Sequence, residues 1–367
     1  MTEQELSAYI QAIRPADEAA MEAARRRQAQ LAKPPGSLGQ LEEISIRLAG
    51  VTGQVCPAMG KCRVAVFAAD NGVVAEGVSC TPPAVTMQQA VNMTFRKTGM
   101  SAMAAAFGDD VRVVDVGIDG DVPPVGVLDR KVRRGTGDIA REDAMTRQQV
   151  LDAMAAGMEQ AARARADGVT ALGIGEMGIG NTTTSAAVLA ALTGADIEAV
   201  TGRGGGLTDE GFLRKKEVLR QALALHRPDG NDVIGVLAGV GGLDLAAMTG
   251  AFLGCAHERV PAAVDGFISI AAALCAVRLC PAVRDVLFLS HDSYEVGYRI
   301  AVETLGLQPC LRLGMRLGEG SGCPLLFRVL EGACGVMRGM ATFGEASIED
   351  SYLDEIRAVD AFTVEGA

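Results

Sequence analysis

Seven short runs of almost wholly apolar residues recur along the chain, and each is followed by a polar or glycine-rich turn. Strands buried on both faces of a parallel sheet have this near-continuous apolar pattern, whereas strands with one solvated face alternate polar and apolar residues. Stretches of helical length separate the runs. The sequence therefore predicts an α/β fold with a mostly parallel sheet and helices on both faces. The predicted strands are residues 63–69, 111–116, 169–174, 233–240, 261–264, 286–289 and 311–316.

Both ends of the chain have a helical pattern instead. Residues 17–33 are rich in Ala, Glu, Arg and Gln, which favour helices, and a helical pattern returns at about Cys323. The sequence therefore predicts a small helical domain formed by residues 1–60 and 323–367. The large α/β domain, residues 61–322, would contain the functional site at the carboxyl ends of its strands.

Charge and cysteine spacing argue against several classes of partner. The 367-residue chain has a formal net charge of −11, whereas nucleic acid and anionic membrane surfaces both require basic patches. Nine cysteines with no C-x-x-C pair fit reduced thiols in a cytoplasmic protein, and the charged first 14 residues do not resemble an export signal. The three histidines lack metal-ligand spacing, so the sequence predicts neither a metal site nor a cofactor.

An apolar segment at residues 233–256 has the length of a membrane span. Asp244 lies in its middle, where a charged side chain would cost roughly 3 kcal/mol in a bilayer, and Gly241-Gly242 interrupts it. We therefore predict a strand followed by a helix, with no membrane span. Asp244 would lie in the first helical turn, where the helix dipole favours an anion.

Glu319 is a lone carboxylate between two glycines after an apolar run. Glycine lets a ligand approach the backbone closely, and it leaves no neighbouring side chain that would neutralise the acid. This setting favours a general base. The alternative is a polar turn after a strand, which is the ordinary interpretation of a single Gly-Glu-Gly. The other glycine-rich turns that follow apolar runs favour the base.

Residues 173–178 fit the dinucleotide pattern G-x-G-x-x-G after a predicted strand. No acid ends a second strand at the required spacing, and Glu176 would repel a pyrophosphate, so the sequence disfavours NAD binding. A single phosphate fits better, because Asn181 or Thr182 would cap a helix whose first N–H groups point at the anion. A well-capped helix without a ligand is the alternative.

A second glycine-rich loop, residues 201–206, is followed by Arg214, Lys215 and Lys216. In an acidic chain, a cationic cluster beside such a loop favours an anion site. The alternative is a solvated helix face, which we expect for at least one of the three cations.

Segments spread in order over nearly the whole chain resemble the nicotinate-nucleotide:dimethylbenzimidazole phosphoribosyltransferase family of cobalamin biosynthesis. The resemblance implies a Rossmann-like sheet with a small helical domain, and a homodimer. It also implies transfer of phosphoribose from nicotinate mononucleotide to a lower-ligand base such as 5,6-dimethylbenzimidazole. The matching segments are residues 33–39 (KPPGSLG), 70–73, 77–79, 85–88, 175–183 (GEMGIGNTT), 201–204, 264–267, 290–291 and 313–322 (LGMRLGEGSG).

The resemblance also implies roles for individual residues. In the family, the glutamate that matches Glu319 is the general base. Ser79, Gln88 and Leu317 match positions near the acceptor base. Positions expected to bind the nucleotide and its phosphate are Glu176, Gly178, Gly180, Asn181, Thr182, Thr183, Gly202, Arg203, Gly204, Lys215, Asp265, Ser290 and Gly320.

Two departures from the family lie near the presumed base pocket. Asn71 stands where many members have His, and Cys80-Thr81 stands where many have Ala-Tyr. They leave the acceptor open among dimethylbenzimidazole, benzimidazole, adenine and a phenol. Two other classes also remain: a nucleosidase or N-glycoside hydrolase that uses Glu176 and Glu319 across a sugar, and a non-catalytic nucleotide-binding subunit, which the presence of Glu319 disfavours.

Overall fold

The computed structural model describes residues 1–354, and its centre is a seven-stranded parallel sheet. Every residue of the two central strands is buried, as near-continuous apolar runs predict. The strands are β1 (Cys62–Ala69), β2 (Asp110–Gly117), β3 (Leu128–Asp129), β4 (Ala171–Met177), β5 (Ala262–Val264), β6 (Leu287–His291) and β7 (Pro309–Leu311).

The spatial order of the strands is β3-β2-β1-β4-β5-β6-β7. The chain builds the sheet outward from β1 to β3, then returns to the other side of β1 with β4 and continues to β7. The order therefore reverses between β1 and β4. In open α/β sheets, ligands bind beyond the carboxyl ends of the strands at such a reversal.

Helices flank the sheet, and short 3-10 helices occupy Gly72–Glu76, Pro281–Val286 and Ser351–Leu353. Within residues 1–354, no helix has both the length and the apolarity needed to cross a bilayer. The α-helices are α1 (Glu3–Ala12), α2 (Glu18–Gln30), α3 (Gln40–Thr52), α4 (Val85–Thr94), α5 (Gly99–Phe107), α6 (Arg147–Ala166), α7 (Asn181–Thr193), α8 (Ile197–Val200), α9 (Asp209–His226), α10 (Val233–Val240), α11 (Leu243–Glu258), α12 (Phe267–Leu279), α13 (Val296–Leu305) and α14 (Cys323–Gly339).

The predicted α/β class is confirmed, and five predicted strands coincide with β1, β2, β4, β5 and β6. The strand predicted at residues 233–240 is wrong, because that run is α10. Asp232 caps this helix by accepting a hydrogen bond from the N–H of Gly235 at 3.0 Å. A short apolar run buried on all sides fits a strand and a helix equally well, so periodicity cannot distinguish them.

The strand predicted at residues 311–316 is also misplaced, because β7 ends at Leu311. Gly314 has a φ of +65°, a left-handed conformation that ends an extended strand. The apolar residues beyond β7 therefore lie in a loop that leads to Glu319.

The terminal helices contribute to two apolar clusters. A small cluster joins α2, α3 and α14 through residues that include Ala24, Ala49 and Met337. Leu48 of α3 and Leu326 of α14 belong instead to the main core around the sheet. The division into two domains stays a prediction, and residues 355–367 of the predicted small domain lie outside the described residues.

Candidate active site

A cavity of about 280 Å³ opens at the carboxyl ends of β4, β5 and β6. Glu176 lies in its wall at the end of β4, Asp265 follows β5, and His291 ends β6. The loop after β7 contributes Glu319. Residues from four successive strand ends therefore meet in one cavity, close to the reversal of strand order.

Glu319 is held in the cavity wall by an unusual backbone conformation. Its φ is +64°, and the flanking Gly318 and Gly320 both have a φ of +83°. Left-handed backbone is costly for a non-glycine residue, and such strain outside helix ends clusters at functional sites. The residue is 5% exposed, and its Oε2 accepts a hydrogen bond from the N–H of Met100 at 3.1 Å. This N–H lies in the first turn of α5, where free backbone donors favour an anion.

Asp265 fixes the loop that carries Glu319. Its two carboxyl oxygens accept hydrogen bonds from the N–H groups of Gly320 at 3.1 Å and Gly322 at 2.7 Å. Burial raises the pKa of Asp265, while the nearby His291 opposes that shift. Ser290 lies behind the cavity, and its hydroxyl donates to the backbone oxygen of Asp265 at 3.1 Å.

Glu176 is the second acid of the cavity. Its Oε1 lies 3.4 Å from the N–H of Glu319, and its Oε2 accepts a hydrogen bond from the amide of Asn181. Burial raises the pKa of Glu176 to about 8, and the negative charges of Asp244 and Asp265 add to this shift. Glu176 is therefore a carboxyl that can exchange a proton near neutral pH.

The predicted phosphate segments are joined by a buried lysine. Lys215 Nζ donates to Thr182 Oγ1 at 2.8 Å and to the backbone oxygen of Gly202 at 3.1 Å. Burial lowers the pKa of Lys215 to about 8, and Glu295 opposes that shift. Within residues 1–354, no carboxylate contacts this ammonium directly. A cation placed in this way behind the N-terminus of a helix is suited to an anionic ligand.

The predicted cap of α7 is wrong. Gly180, with a φ of +91°, occupies the N-cap position, and no side chain caps the helix. Asn181 instead directs its amide toward Glu176 and Asp244, and Thr182 accepts from Lys215. The N–H groups of Asn181 and Thr183 already donate to the backbone oxygens of Gly178 at 3.2 Å and Gly180 at 2.9 Å. Among the described residues, the N–H of Thr182 has no backbone partner and remains available to a ligand.

The other predicted nucleotide residues lie at different depths. Gly178, Gly180, Thr182, Arg203 and Gly204 line the cavity, whereas Thr183, Gly202, Lys215 and Gly320 do not. Arg203 donates to Asp209 and to the backbone oxygen of Leu207, so its guanidinium is occupied in this structure.

The predicted base residues are only partly brought together. Ser79 and Leu317 line the cavity, while Gln88 is exposed and does not. Its neighbour Gln89 lines the cavity, one turn of α4 after Val85. This i, i+4 spacing is the sequence signal that distinguishes Gln89 from Gln88. Glu295 also lines the cavity, but no motif in the sequence marks it.

The two sequence departures lie in different places. Cys80 and Thr81 line the cavity beside Ser79. Asn71 is buried outside the cavity lining, and its amide donates to the backbone oxygen of Ile179 at 3.3 Å. The Asn71 side chain therefore holds the segment that leads into α7, and it does not face the base end of the cavity.

A family model described as a phosphoribosyltransferase matches residues 13–348, and it assigns the chain to that class. A Clostridium perfringens protein named nicotinate-nucleotide–dimethylbenzimidazole phosphoribosyltransferase is 46% identical over 341 residues, covering 93% of this chain and 94% of that protein. A Geobacter metallireducens protein of the same name is 46% identical over 347 residues, covering 94% and 98%. The crystal structure of the Thermus thermophilus enzyme of that name has a TM-score of 0.86 and 44% identity, covering 91% of this chain and all of that one.

The chain belongs to the nicotinate-nucleotide–dimethylbenzimidazole phosphoribosyltransferase family. The family resemblance predicted from the ordered motifs is thereby confirmed.

Proposed function

We propose that the cavity transfers the phosphoribosyl group of nicotinate mononucleotide to an aromatic base such as 5,6-dimethylbenzimidazole. The products are an α-ribazole 5′-phosphate and nicotinate, and the step belongs to cobalamin lower-ligand synthesis. The observation that carries the proposal is the carboxylate of Glu319, fixed in the cavity wall by Met100 and flanked by Leu317.

The chemistry requires one base and no general acid. The donor's C1′–N bond breaks with its electron pair moving to the pyridinium nitrogen, so nicotinate leaves without a proton. One ring nitrogen of the acceptor forms the new bond to C1′, and its other nitrogen must lose a proton. Glu319 takes that proton as the general base.

Positive charge develops on the ribose as the pyridinium departs. Glu176, hydrogen-bonded to the N–H of Glu319, lies on the same cavity wall and offsets this charge when it is ionised. Attack from the face opposite the leaving group inverts the anomeric carbon and gives the α-ribotide. The two acids therefore have separate roles, one for the proton and one for the sugar.

The phosphate of the donor binds at the start of α7. Thr182 and Gly204 line this end of the cavity, and Lys215 supplies positive charge from behind Thr182. The backbone N–H of Thr182, in the first turn of α7, donates to a phosphate oxygen. Ser79, Gln89 and Leu317 surround the acceptor at the other end. Gln88 is exposed and does not line the cavity, so a contact with the base would require its side chain to reach in from outside.

A hydrolase is the second candidate, because Glu176 and Glu319 share one cavity as paired acids do in glycosidases. The two functions are distinguished by measuring nicotinate release with and without dimethylbenzimidazole, and by the mass of the products. Acceptor-dependent release with a ribotide of the base supports the transferase. Equal release without the base, with ribose 5-phosphate as the product, supports the hydrolase. Competing dimethylbenzimidazole, adenine and phenol in one reaction identifies the acceptor class.

We further propose a cytoplasmic homodimer that needs no cofactor. The support is the family resemblance, together with exposed apolar side chains near the cavity mouth. Tyr294 and Leu313 are 72% and 57% exposed, and the N–H of Tyr294 bonds to the backbone oxygen of Met315, so their segments are adjacent. Light scattering should give twice the chain mass of 38.0 kDa. A single-chain mass at micromolar concentration would contradict the dimer.

A further inference from the structure

The amide of Asn181 connects a carboxyl in the cavity wall to a carboxyl behind it. Asn181 Nδ2 donates to Glu176 Oε2 and, at 3.0 Å, to Asp244 Oδ2. An amide nitrogen carries two hydrogens, so both are committed to these acids. Asp244 is fully buried and does not line the cavity.

The surrounding backbone leaves room for the Asp244 carboxyl on two sides. A Cβ added to Gly178 would lie 2.7 Å from Asp244 Oδ2, and one added to Gly242 would clash with Asp244 Oδ1. Asp244 Oδ1 also accepts a hydrogen bond from the N–H of Leu245 at 2.9 Å. Glycine at these two positions, in different segments, therefore leaves the space that the Asp244 carboxyl occupies.

The titratable groups around Glu176 and Asp244 are mostly acids. Glu176 is close to the charges of Asp244 and Asp265, and Asp244 is close to that of Asp70. In the described part of the chain, neither Glu176 nor Asp244 forms an ion pair. A histidine, His291, lies 3.9 Å from the neighbouring carboxyl of Asp265. Two such acids in a buried site do not both ionise freely.

An unpartnered acceptor stands beside Asp244. Asn71 Oδ1 is buried, and no described residue donates a hydrogen bond to it. A Cβ added to Gly242 would meet both this oxygen, at 2.8 Å, and Asp244 Oδ1. The two oxygens therefore border the same small space beside Gly242.

We propose that Asp244 is a positioning residue that holds Glu176 against the ribose through Asn181 and controls, by its own charge, when Glu176 ionises. The catalytic part of this proposal rests on the proposed function. Burial is the main cause of the raised pKa of Glu176, about 8, and the charge of Asp244 is the next. Burial also raises the pKa of Asp244, to about 6. Neutralising Asp244 should therefore lower the pKa of Glu176.

The test compares Asp244→Asn and Asp244→Ala with the control Asp115→Asn. Asp115 is also buried, but it pairs with Lys131 at 3.1 Å and lies outside the cavity lining. For Asp244→Asn we expect the Glu176-dependent limb of the pH profile of kcat to move to lower pH by roughly one unit. The KM for nicotinate mononucleotide should change little. Asp244→Ala removes the acceptor of Asn181 and should lower kcat on the order of 10–100-fold.

Two outcomes would overturn the proposal. One is an Asp244→Asn profile that superimposes on that of the unsubstituted protein. The other is an equal shift in Asp115→Asn, which would show a non-specific effect of losing a buried acid.

A second measurement needs no catalysis. The ionisation of Glu176 contributes to the pH dependence of the melting temperature of the ligand-free protein, and subtracting the profile of Glu176→Gln isolates that contribution. The midpoint of this difference should move to lower pH when both proteins also carry Asp244→Asn. An unmoved midpoint contradicts the proposal even if the protein transfers no phosphoribose. Absence of transfer together with a moved midpoint would contradict only the proposed function.

Discussion

The carboxylate of Glu319 accepts a hydrogen bond at 3.1 Å from the backbone N–H of Met100, a residue far from it in sequence. This contact joins the loop after β7 to the start of α5. The first N–H groups of a helix have no partner within the helix, and the carboxylate of Glu319 provides one for Met100. The structure therefore fixes both the direction of the carboxylate and its surroundings.

Replacing Glu319 by Gln should abolish most turnover without abolishing nucleotide binding. The amide has nearly the same shape but cannot take the acceptor's proton, and loss of a general base costs on the order of 10²–10⁴-fold in rate. Steady-state kinetics should show this loss in kcat, with the KM for nicotinate mononucleotide little changed. The matched control is Glu303→Gln, an exposed acid paired with Arg299. A Glu319→Gln protein with near-normal kcat would remove the base assignment.

Gly318 approaches Glu176 too closely to tolerate a side chain. Its φ is +83°, and an added Cβ would lie 2.6 Å from Glu176 Oε1. Gly318→Ala should displace Glu176 and lower kcat by about 10²-fold. Gly314→Ala is the control, because Gly314 has a φ of +65° but nothing within 4 Å of its added Cβ. Both variants carry the left-handed strain of about 1–2 kcal/mol, so equal kcat values in the two would show that contact with Glu176 is unimportant.

The raised pKa of Glu176 makes the ligand-free protein less stable as pH increases. The folded state raises this pKa from 4.5 to about 8, so it favours the protonated form more strongly than the unfolded state does. The resulting stability is complete below about pH 4.5 and is lost as pH rises through about 8. Urea unfolding at several pH values should show this decline, and Glu176→Gln should reduce it. A pH dependence unchanged by Glu176→Gln would show that Glu176 ionises normally.

The sequence predicts strands well where both faces of a strand are buried, because the residues must then be apolar. Runs such as β1 and β4 are apolar because both faces are covered, and the turn after each strand places polar groups at the sheet edge. The run at α10 was misassigned because a short, fully buried helix has the same composition. Its cap, Asp232, was the available signal for a helix start.

The glycine-rich turns predict which residues line the site, but they do not predict the hydrogen bonds between those residues. Glu176 and Glu319 were expected from their turns, and they share one cavity. The contact of Glu319 with Met100 joins residues 219 positions apart, and that of Asn181 with Asp244 joins residues 63 apart. Such pairs depend on the tertiary arrangement of helices around the sheet, which a single sequence does not specify locally.

Lys215 should determine nucleotide affinity because its ammonium is buried between Thr182 and the Gly202 backbone. Lys215→Met keeps an unbranched side chain and removes the charge. Hydrogen bonds to charged groups contribute about 1.5–3 kcal/mol, so the Kd for nicotinate mononucleotide should rise roughly 10–100-fold. The control is Lys216→Met, whose ammonium pairs with Glu198 outside the cavity lining. Calorimetric titration of the nucleotide without an acceptor separates binding from turnover, and equal affinities in the two variants would place the phosphate elsewhere.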